Sequence, residues 1–189
     1  ELGYGSDLDW VFLSYDDAPS ALCAKLVQRM QTWTTTLTAA GRLYETDIRL
    51  RPDGEAGLPF TTVSAFAAYQ ENKAWLWEHQ ALSRARFAAG DERVGAAFEK
   101  IRRLILKKAR SAPQVLEMKA EIKAMRARMA TQKANRSAGF DVKNDAGGMV
   151  DIEFIVQALV LTHAHEHPFL VENKGNIALL LFAGENALL

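Results

Sequence analysis

The strongest constraint on the fold is a change of hydrophobic period along the chain. Near the start, Asp7–Leu13 and Tyr44–Arg51 alternate between the two faces of an extended strand. The second segment alternates strictly, because its charged residues and its mostly apolar residues occupy opposite faces. From about residue 63 onward, apolar residues instead recur every three to four positions, as they do in helices. Strands early and helices late predict an α+β protein.

The expected helices follow from this period and from capping residues. They are Ser20–Ala39, Val63–Ser83, Glu92–Ala109, Met149–His165, Asn173–Phe182 and a helix carrying the apolar stripe Val115, Met118, Ile122, Met125 and Met129. Gly41 is predicted to cap the first helix at its C-terminus, and Ser64 and Asp91 are predicted N-caps. We expect a catalytic core over residues 1–90 and a helical bundle over residues 91–189.

Composition excludes some classes of protein and leaves the role of charge open. The 189 residues include one cysteine, which excludes an internal disulfide, and no apolar run of about 20 residues that would span a membrane. A cytoplasmic protein is expected. The net charge is zero, yet residues 100–136 carry twelve Lys and Arg against two Asp and Glu. This basic segment is either a solvated face or a docking surface for an acidic protein. Nucleic acid is disfavoured, because no binding motif accompanies the charge.

Three carboxylates form the sharpest chemical pattern. Asp7 and Asp9, at positions i and i+2 of a strand, share one face, and their mutual repulsion calls for a compensating cation. Asp47 lies on the charged face of the later strand. Mg²⁺ binds carboxylates together with substrate phosphates, so the three carboxylates predict a two-metal magnesium site for phosphoryl chemistry. The competing interpretation is that the Asp-x-Asp pattern only forms a turn at the start of a strand and faces solvent.

Motifs along most of the chain resemble one family. They are Gly5–Asp9, Tyr44–Pro52, Ala74–Leu82, Arg84–Arg86, Phe140–Lys143 and Gly147–Phe154. The chain resembles the polymerase-beta-like nucleotidyltransferases, and within them the glutamine synthetase adenylyltransferase family. That family has two nucleotidyltransferase halves: one attaches AMP to a tyrosine of glutamine synthetase, and the other removes it by phosphorolysis. The segments that look more like the attaching half, which is usually C-terminal, are Glu1–Asp9, Glu71–Trp75 and Trp77–Leu82.

The resemblance implies roles for individual residues. Asp7, Asp9 and Asp47 would be catalytic and would hold Mg²⁺, with ATP as substrate and Asp47 also helping to activate the attacking hydroxyl. Nucleotide binding would involve Gly5, Ser6, Arg49, Arg51 and Arg84. For these arginines, neutralising nearby carboxylates or surface ion pairing stays an open alternative. The resemblance implies glutamine synthetase as the protein substrate and, for the full-length enzyme, the PII signal protein as a candidate partner, with neither nucleic acid nor membrane.

The resemblance also implies what this chain lacks. Families of this fold place a Gly-Gly or Gly-Ser pair several residues ahead of the Asp-x-Asp strand, and here that position would fall before Glu1. We therefore expect an incomplete nucleotidyltransferase core, built from a small sheet with helices. The mostly helical bundle that follows it is expected to be truncated at its end. The fragment on its own is then expected to be a docking or regulatory module if it is not catalytic.

Other charged residues have simpler expected roles. Asp151 and Glu153 are about 200° apart around a helix, which disfavours a shared metal site. Asp151 is expected to favour the helix N-terminus electrostatically, and Glu153 to pair with Lys143 or an arginine or to reach the active cleft. His163, His165 and His167 are not expected to form a zinc site, because Pro168 ends the helix beside them.

Overall fold

A computed structural model of the protein describes residues 7–48, 50, 57–136 and 138–189. The chain divides into two compact units, each assembled from two stretches of sequence. Unit 1 comprises Glu1–Ala74 and Ala89–Phe98, and unit 2 comprises Trp75–Ala88 and Glu99–Leu189. This is a division by packing. The catalytic and helical domains expected at residues 1–90 and 91–189 stay a prediction.

Unit 1 contains two small pairs of parallel strands. The strands are β1 (Leu8–Asp9), β2 (Leu13–Ser14), β3 (Thr46–Asp47) and β4 (Thr61–Thr62). β1 pairs with β3, and β2 pairs with β4. The segment expected to be one strand from residue 7 to residue 13 is therefore two strands, because its ends pair with different partners. The later predicted strand is short as well, since only β3 is paired within it among the described residues.

The first helix, α1 (Ser20–Thr35), ends four residues before its predicted end. Threonine hydroxyls near this end donate to main-chain carbonyls three or four residues earlier, as Thr34 does to Gln31 and to Met30. β-branched residues have low helix propensity, which is consistent with the termination here. Gly41 is not the cap of this helix. Its φ of 99° serves a tight turn in which Gly41 and Thr38 exchange main-chain hydrogen bonds at 3.0 Å.

The single helix predicted over residues 63–83 is wrong, because the structure has two helices there, α2 (Val63–Asn72) and α3 (Leu76–Leu82). Thr62 is the N-cap of α2, since its hydroxyl accepts from the Ala65 amide, and the predicted cap Ser64 instead donates to Asp16. α3 starts afresh because the Glu78 carboxylate accepts from the amide of Trp75, one residue before the helix.

The fourth helix, α4 (Glu92–Leu106), begins as predicted and ends three residues early. Asp91 is confirmed as its cap, because its carboxylate accepts from the Arg93 amide at 2.8 Å. The Arg93 side chain also bonds to this carboxylate and lowers the pKa of Asp91 to about 2. In unit 1, the core includes Val27 of α1, Phe66 of α2 and Phe98 of α4.

Unit 2 is a helical bundle. Its remaining elements are α5 (Ala112–Gln132), α6 (Met149–His163), a 3-10 helix (Pro168–Val171) and α7 (Asn176–Glu185). α6 packs against α3, α5 and α7. The predicted stripe of α5 is confirmed as its inner face, with Met118 and Ile122 buried. The last helix starts three residues later than predicted. With its short strands and its helices, the described part of the chain has the expected α+β architecture.

Candidate active site

The carboxylates predicted to form the site lie on two neighbouring strands. In the parallel register of β1 and β3, Asp9 lies directly opposite Asp47. The Leu8 amide donates to the Glu45 carbonyl at 2.9 Å, and the Trp10 amide donates to the Asp47 carbonyl at 2.7 Å. Residues in register on adjacent strands point to the same face, and such strands lie about 4.8 Å apart. The fold therefore brings the Asp9 and Asp47 side chains next to each other.

The third carboxylate, Asp7, directly precedes β1. Asp7 and Asp9 are exposed and Asp47 is half-buried. Carboxylate oxygens are the donors that Mg²⁺ prefers, so the chemistry of this set fits magnesium. Within residues 7–48, 50, 57–136 and 138–189, no group of three or more His, Cys, Asp or Glu side chains is arranged to hold a metal ion. The fit to a metal rests on the donor chemistry and on the register of Asp9 with Asp47.

The other predicted site residues are placed differently. Gly5, Ser6, Arg49 and Arg51 lie outside the described residues. Arg84 belongs to unit 2, where its guanidinium donates to the Lys174 carbonyl and to the Asn176 side chain, both at 3.3 Å. Nε of Arg84 also lies 3.4 Å from Oε1 of Glu153. This pair confirms the expectation that Glu153 finds an arginine partner.

Asp151 closes the loop that precedes α6. Its carboxylate accepts from the Gly147 amide at 2.6 Å and from Nε of Arg126 at 2.5 Å. The Gly147 hydrogen bond first, and the Arg126 guanidinium next, lower the pKa of Asp151. Arg126 also donates to the Asn144 carbonyl at 2.8 Å, so it ties α5 to this loop. Asp151 therefore has a structural role in the first turn of α6, as predicted.

Two glycines let this loop meet the helix. Gly147 has a φ of 84°, in the left-handed region that favours glycine. A Cβ added to Gly148 would lie 2.6 Å from the Val142 carbonyl oxygen and 2.9 Å from that of Asp145. These oxygens belong to the main chain, so they are not free to move aside. Gly148 is thus required by a close approach of backbone, and Gly147 is favoured by its left-handed conformation.

A buried guanidinium at the centre of unit 2 was not predicted. Arg102 is 1% exposed and donates to three main-chain carbonyls and one carboxylate: Leu82 at 2.8 Å, Val171 at 2.8 Å, Ser83 at 3.1 Å and Glu99 at 3.0 Å. Burial lowers the pKa of Arg102. The sequence did contain a signal. Arg102 falls between Phe98 and Ile105 on one apolar face of α4, where a charge has to find partners.

The fold and the placement of Asp9 and Asp47 define the class of protein. This is an α+β protein in which unit 1 holds two carboxylates in register on adjacent parallel strands and unit 2 is a helical bundle. A family model described as glutamate-ammonia ligase adenylyltransferase matches residues 1–101, and a model described as GlnD PII-uridylyltransferase matches residues 116–182. The chain belongs to the glutamate-ammonia ligase adenylyltransferase family, which confirms the resemblance seen in the motifs.

Individual curated relatives are similar in sequence to this chain over nearly its whole length. Proteins named bifunctional glutamine synthetase adenylyltransferase/adenylyl-removing enzyme are 54% identical in Aromatoleum aromaticum and 55% identical in Bordetella bronchiseptica, each aligned with 100% of this chain. The corresponding protein of Nitrosomonas europaea is 51% identical over 98% of it. The chain spans about a fifth of the length of these curated relatives. Among the described helices, none is both long enough and apolar enough to cross a membrane.

Proposed function

We propose that this chain is part of an adenylyltransferase that moves AMP from ATP to a tyrosine of glutamine synthetase. The observation that carries the proposal is the register of Asp9 with Asp47 in a chain of this family. The names of the relatives supply the reaction and the protein substrate.

In the proposed reaction, the tyrosine hydroxyl oxygen attacks the α-phosphorus of ATP. A bond forms between that oxygen and the α-phosphorus, and the bond from the α-phosphorus to the bridging oxygen of the β-phosphate breaks, so that pyrophosphate leaves. The hydroxyl proton passes to a carboxylate, and Asp47 is the one we assign to that step.

Asp7, Asp9 and Asp47 are the residues that would hold Mg²⁺ in a nucleotidyltransferase core. A bound magnesium ion would orient the triphosphate and offset the charge that develops on phosphorus. Gly5, Ser6, Arg49, Arg51 and Arg84 are proposed to bind the nucleotide. For Arg84 this role competes with its contacts to Glu153 and to the start of α7, because a guanidinium in that ion pair is already partly neutralised.

The relatives' names also support a second reaction, the phosphorolytic removal of AMP from adenylyl-tyrosine. The same paired carboxylates would serve it, with inorganic phosphate as the attacking group and ADP as the product. Assigning the chain to the attaching half of the enzyme rests on motif resemblance, so the experiment has to measure both directions.

The test uses a full-length enzyme that contains this chain. Transfer of labelled AMP from ATP to glutamine synthetase is measured for wild type, Asp9→Asn and Asp47→Asn, and phosphate-dependent release of ADP from adenylylated glutamine synthetase is measured separately. We expect either substitution to lower AMP transfer about a thousandfold, equivalent to about 4 kcal/mol of transition-state stabilisation. Asp17→Asn is the control, because Asp17 is an exposed aspartate of the same unit outside the β1–β3 pair. Unchanged AMP transfer in Asp9→Asn would refute the proposal, and loss of phosphate-dependent ADP release alone would favour the second reaction.

A further inference from the structure

The charge excess of residues 100–136 falls into two sets of side chains. One set bonds within unit 2 to main-chain carbonyls or to carboxylates and consists of Arg102, Arg103, Arg110 and Arg126. The other set is exposed and consists of Lys100, Lys107, Lys108, Lys119, Lys123, Arg128, Lys133 and Arg136. Most of the arginines therefore hold the unit together, and mainly lysines present the positive charge to the outside.

Three exposed residues share one side of α5, which we call the basic face: Leu116, Lys119 and Lys123. Successive residues of a helix are turned by about 100°, so these three lie within about 60° of one another. Leu116 is 70% exposed, although it is a leucine in a helix whose inner face buries Met118 and Ile122. In the part of the chain that the structure describes, neither lysine pairs with a carboxylate.

We propose that the basic face of α5 is a docking surface for an acidic, amphipathic segment of a protein partner. Charge complementarity selects an acidic partner, because two lysines one helical turn apart match two carboxylates at the same spacing. The exposed Leu116 beside them selects a protein, since a leucine offers an apolar contact and no stacking surface for bases. Arginine is the side chain that binds phosphate in a bidentate manner, and most arginines of residues 100–136 are hydrogen-bonded within unit 2. This also disfavours nucleic acid as the partner. This inference does not depend on the proposed reaction.

The test is a binding titration on the full 189-residue chain, followed by fluorescence anisotropy. The main probe is a labelled helical peptide of glutamates with leucine at every third or fourth position. Poly-glutamate and oligo-dT are compared with it at matched charge. The main variant is Lys119→Glu with Lys123→Glu. Its matched control is Lys25→Glu with Arg29→Glu on α1, because both of these cations are exposed, have the same spacing and give the same change of net charge.

We expect reversal of the basic face to weaken binding of the leucine-containing peptide about tenfold, and the α1 control to change it less than about twofold. Leu116→Ser should weaken the same peptide about fivefold and leave poly-glutamate unaffected, which separates the apolar contact from charge. At about 1 M salt the affinity of the wild type should fall strongly. Equal loss in the two double variants would overturn the proposal, and so would absence of peptide binding. Binding of oligo-dT at least as tight as that of the peptide would assign the surface to nucleic acid instead.

Discussion

Replacing Arg102 by methionine should be among the most damaging single changes in unit 2. The guanidinium connects three elements of the bundle, because it sits on α4 and donates to carbonyls at the end of α3 and in the 3-10 helix. Methionine retains much of the aliphatic volume and removes every donor. Because the site is almost fully buried, water does not replace the lost donors without opening the unit.

The expected cost follows from what each partner loses. The Leu82 carbonyl keeps a second partner, since the Ala85 amide also donates to it at 3.2 Å. Glu99 keeps Arg103, whose Nε lies 2.8 Å away. The carbonyls of Ser83 and Val171 lose a charged donor, at about 1–3 kcal/mol for each buried acceptor. Relief of the desolvation of Arg102 offsets part of this, so we expect a net loss of about 3 kcal/mol.

Urea unfolding followed by circular dichroism measures this loss as a change in the free energy of unfolding. Arg103→Met is the matched control. It makes the same chemical change one position along α4, where both the arginine and Glu172 are 41% exposed, and it should cost at most about 1 kcal/mol. Arg102→Lys keeps the charge but not the planar guanidinium, so its loss in free energy of unfolding should lie between those of the two methionine variants. An Arg102→Met protein within about 1 kcal/mol of wild type would refute this reasoning, as would equal costs for the two methionine variants.

Three further predictions concern unit 2. Gly148→Ala should lower the free energy of unfolding by about 3 kcal/mol, because the added Cβ meets main-chain oxygens. Gly147→Ala should lower it by about 1–2 kcal/mol, because Gly147 has a left-handed φ. Urea unfolding curves that rank the two variants the other way would contradict this geometry. Asp151→Asn should lower the free energy of unfolding by about 1–2 kcal/mol. In a double-mutant cycle with Arg126→Met, the two losses should be less than additive. Simple additivity would mean that Asp151 and Arg126 do not stabilise the unit through their mutual contact. Burial, and then nearby Lys119, lower the pKa of His163, so the unfolded chain takes up this proton first. Thermal stability should therefore fall as the pH drops below about 6.5 towards the lowered pKa, and it should fall less in His163→Gln; identical pH profiles would exclude this group as the cause.

Regular periodicity is the part of the fold that could be predicted from sequence. The inner face of α5 was predicted correctly because five apolar residues at helical spacing leave only one face to bury. The start of α6 at Met149 and that of α4 after Asp91 were also predicted, since a Gly-Gly loop and an aspartate cap mark them locally. Break points were predicted less well, as between α2 and α3, because the Glu78 cap depends on a side chain that reaches back beyond its own helix.

Pairing between distant segments could not be predicted in the same way. Alternation in residues 7–13 shows which side chains share a face, but it does not show which strand lies beside each half of the segment. The register of Asp9 with Asp47 is a property of two segments almost forty residues apart in the chain, and only the structure provides it. Similarly, charge counting identified residues 100–136 as basic without separating the buried Arg102 from the exposed Lys119, because burial depends on the neighbouring helices.

The surroundings of the carboxylates separate structural residues from candidates for chemistry. In unit 2, Asp151 and Glu153 each face an arginine, an arrangement that neutralises the charge and fixes the side chain. In unit 1, Asp9 and Asp47 are neighbours of like charge on adjacent strands. At about 5 Å and an effective dielectric constant of about 20, two such charges repel by about 3 kcal/mol. Positive charge, from side chains or from a metal ion, has to offset this cost. The parallel register of β1 and β3 thus holds like charges side by side, and this placement supports the proposed assignment of the reaction to these two strands.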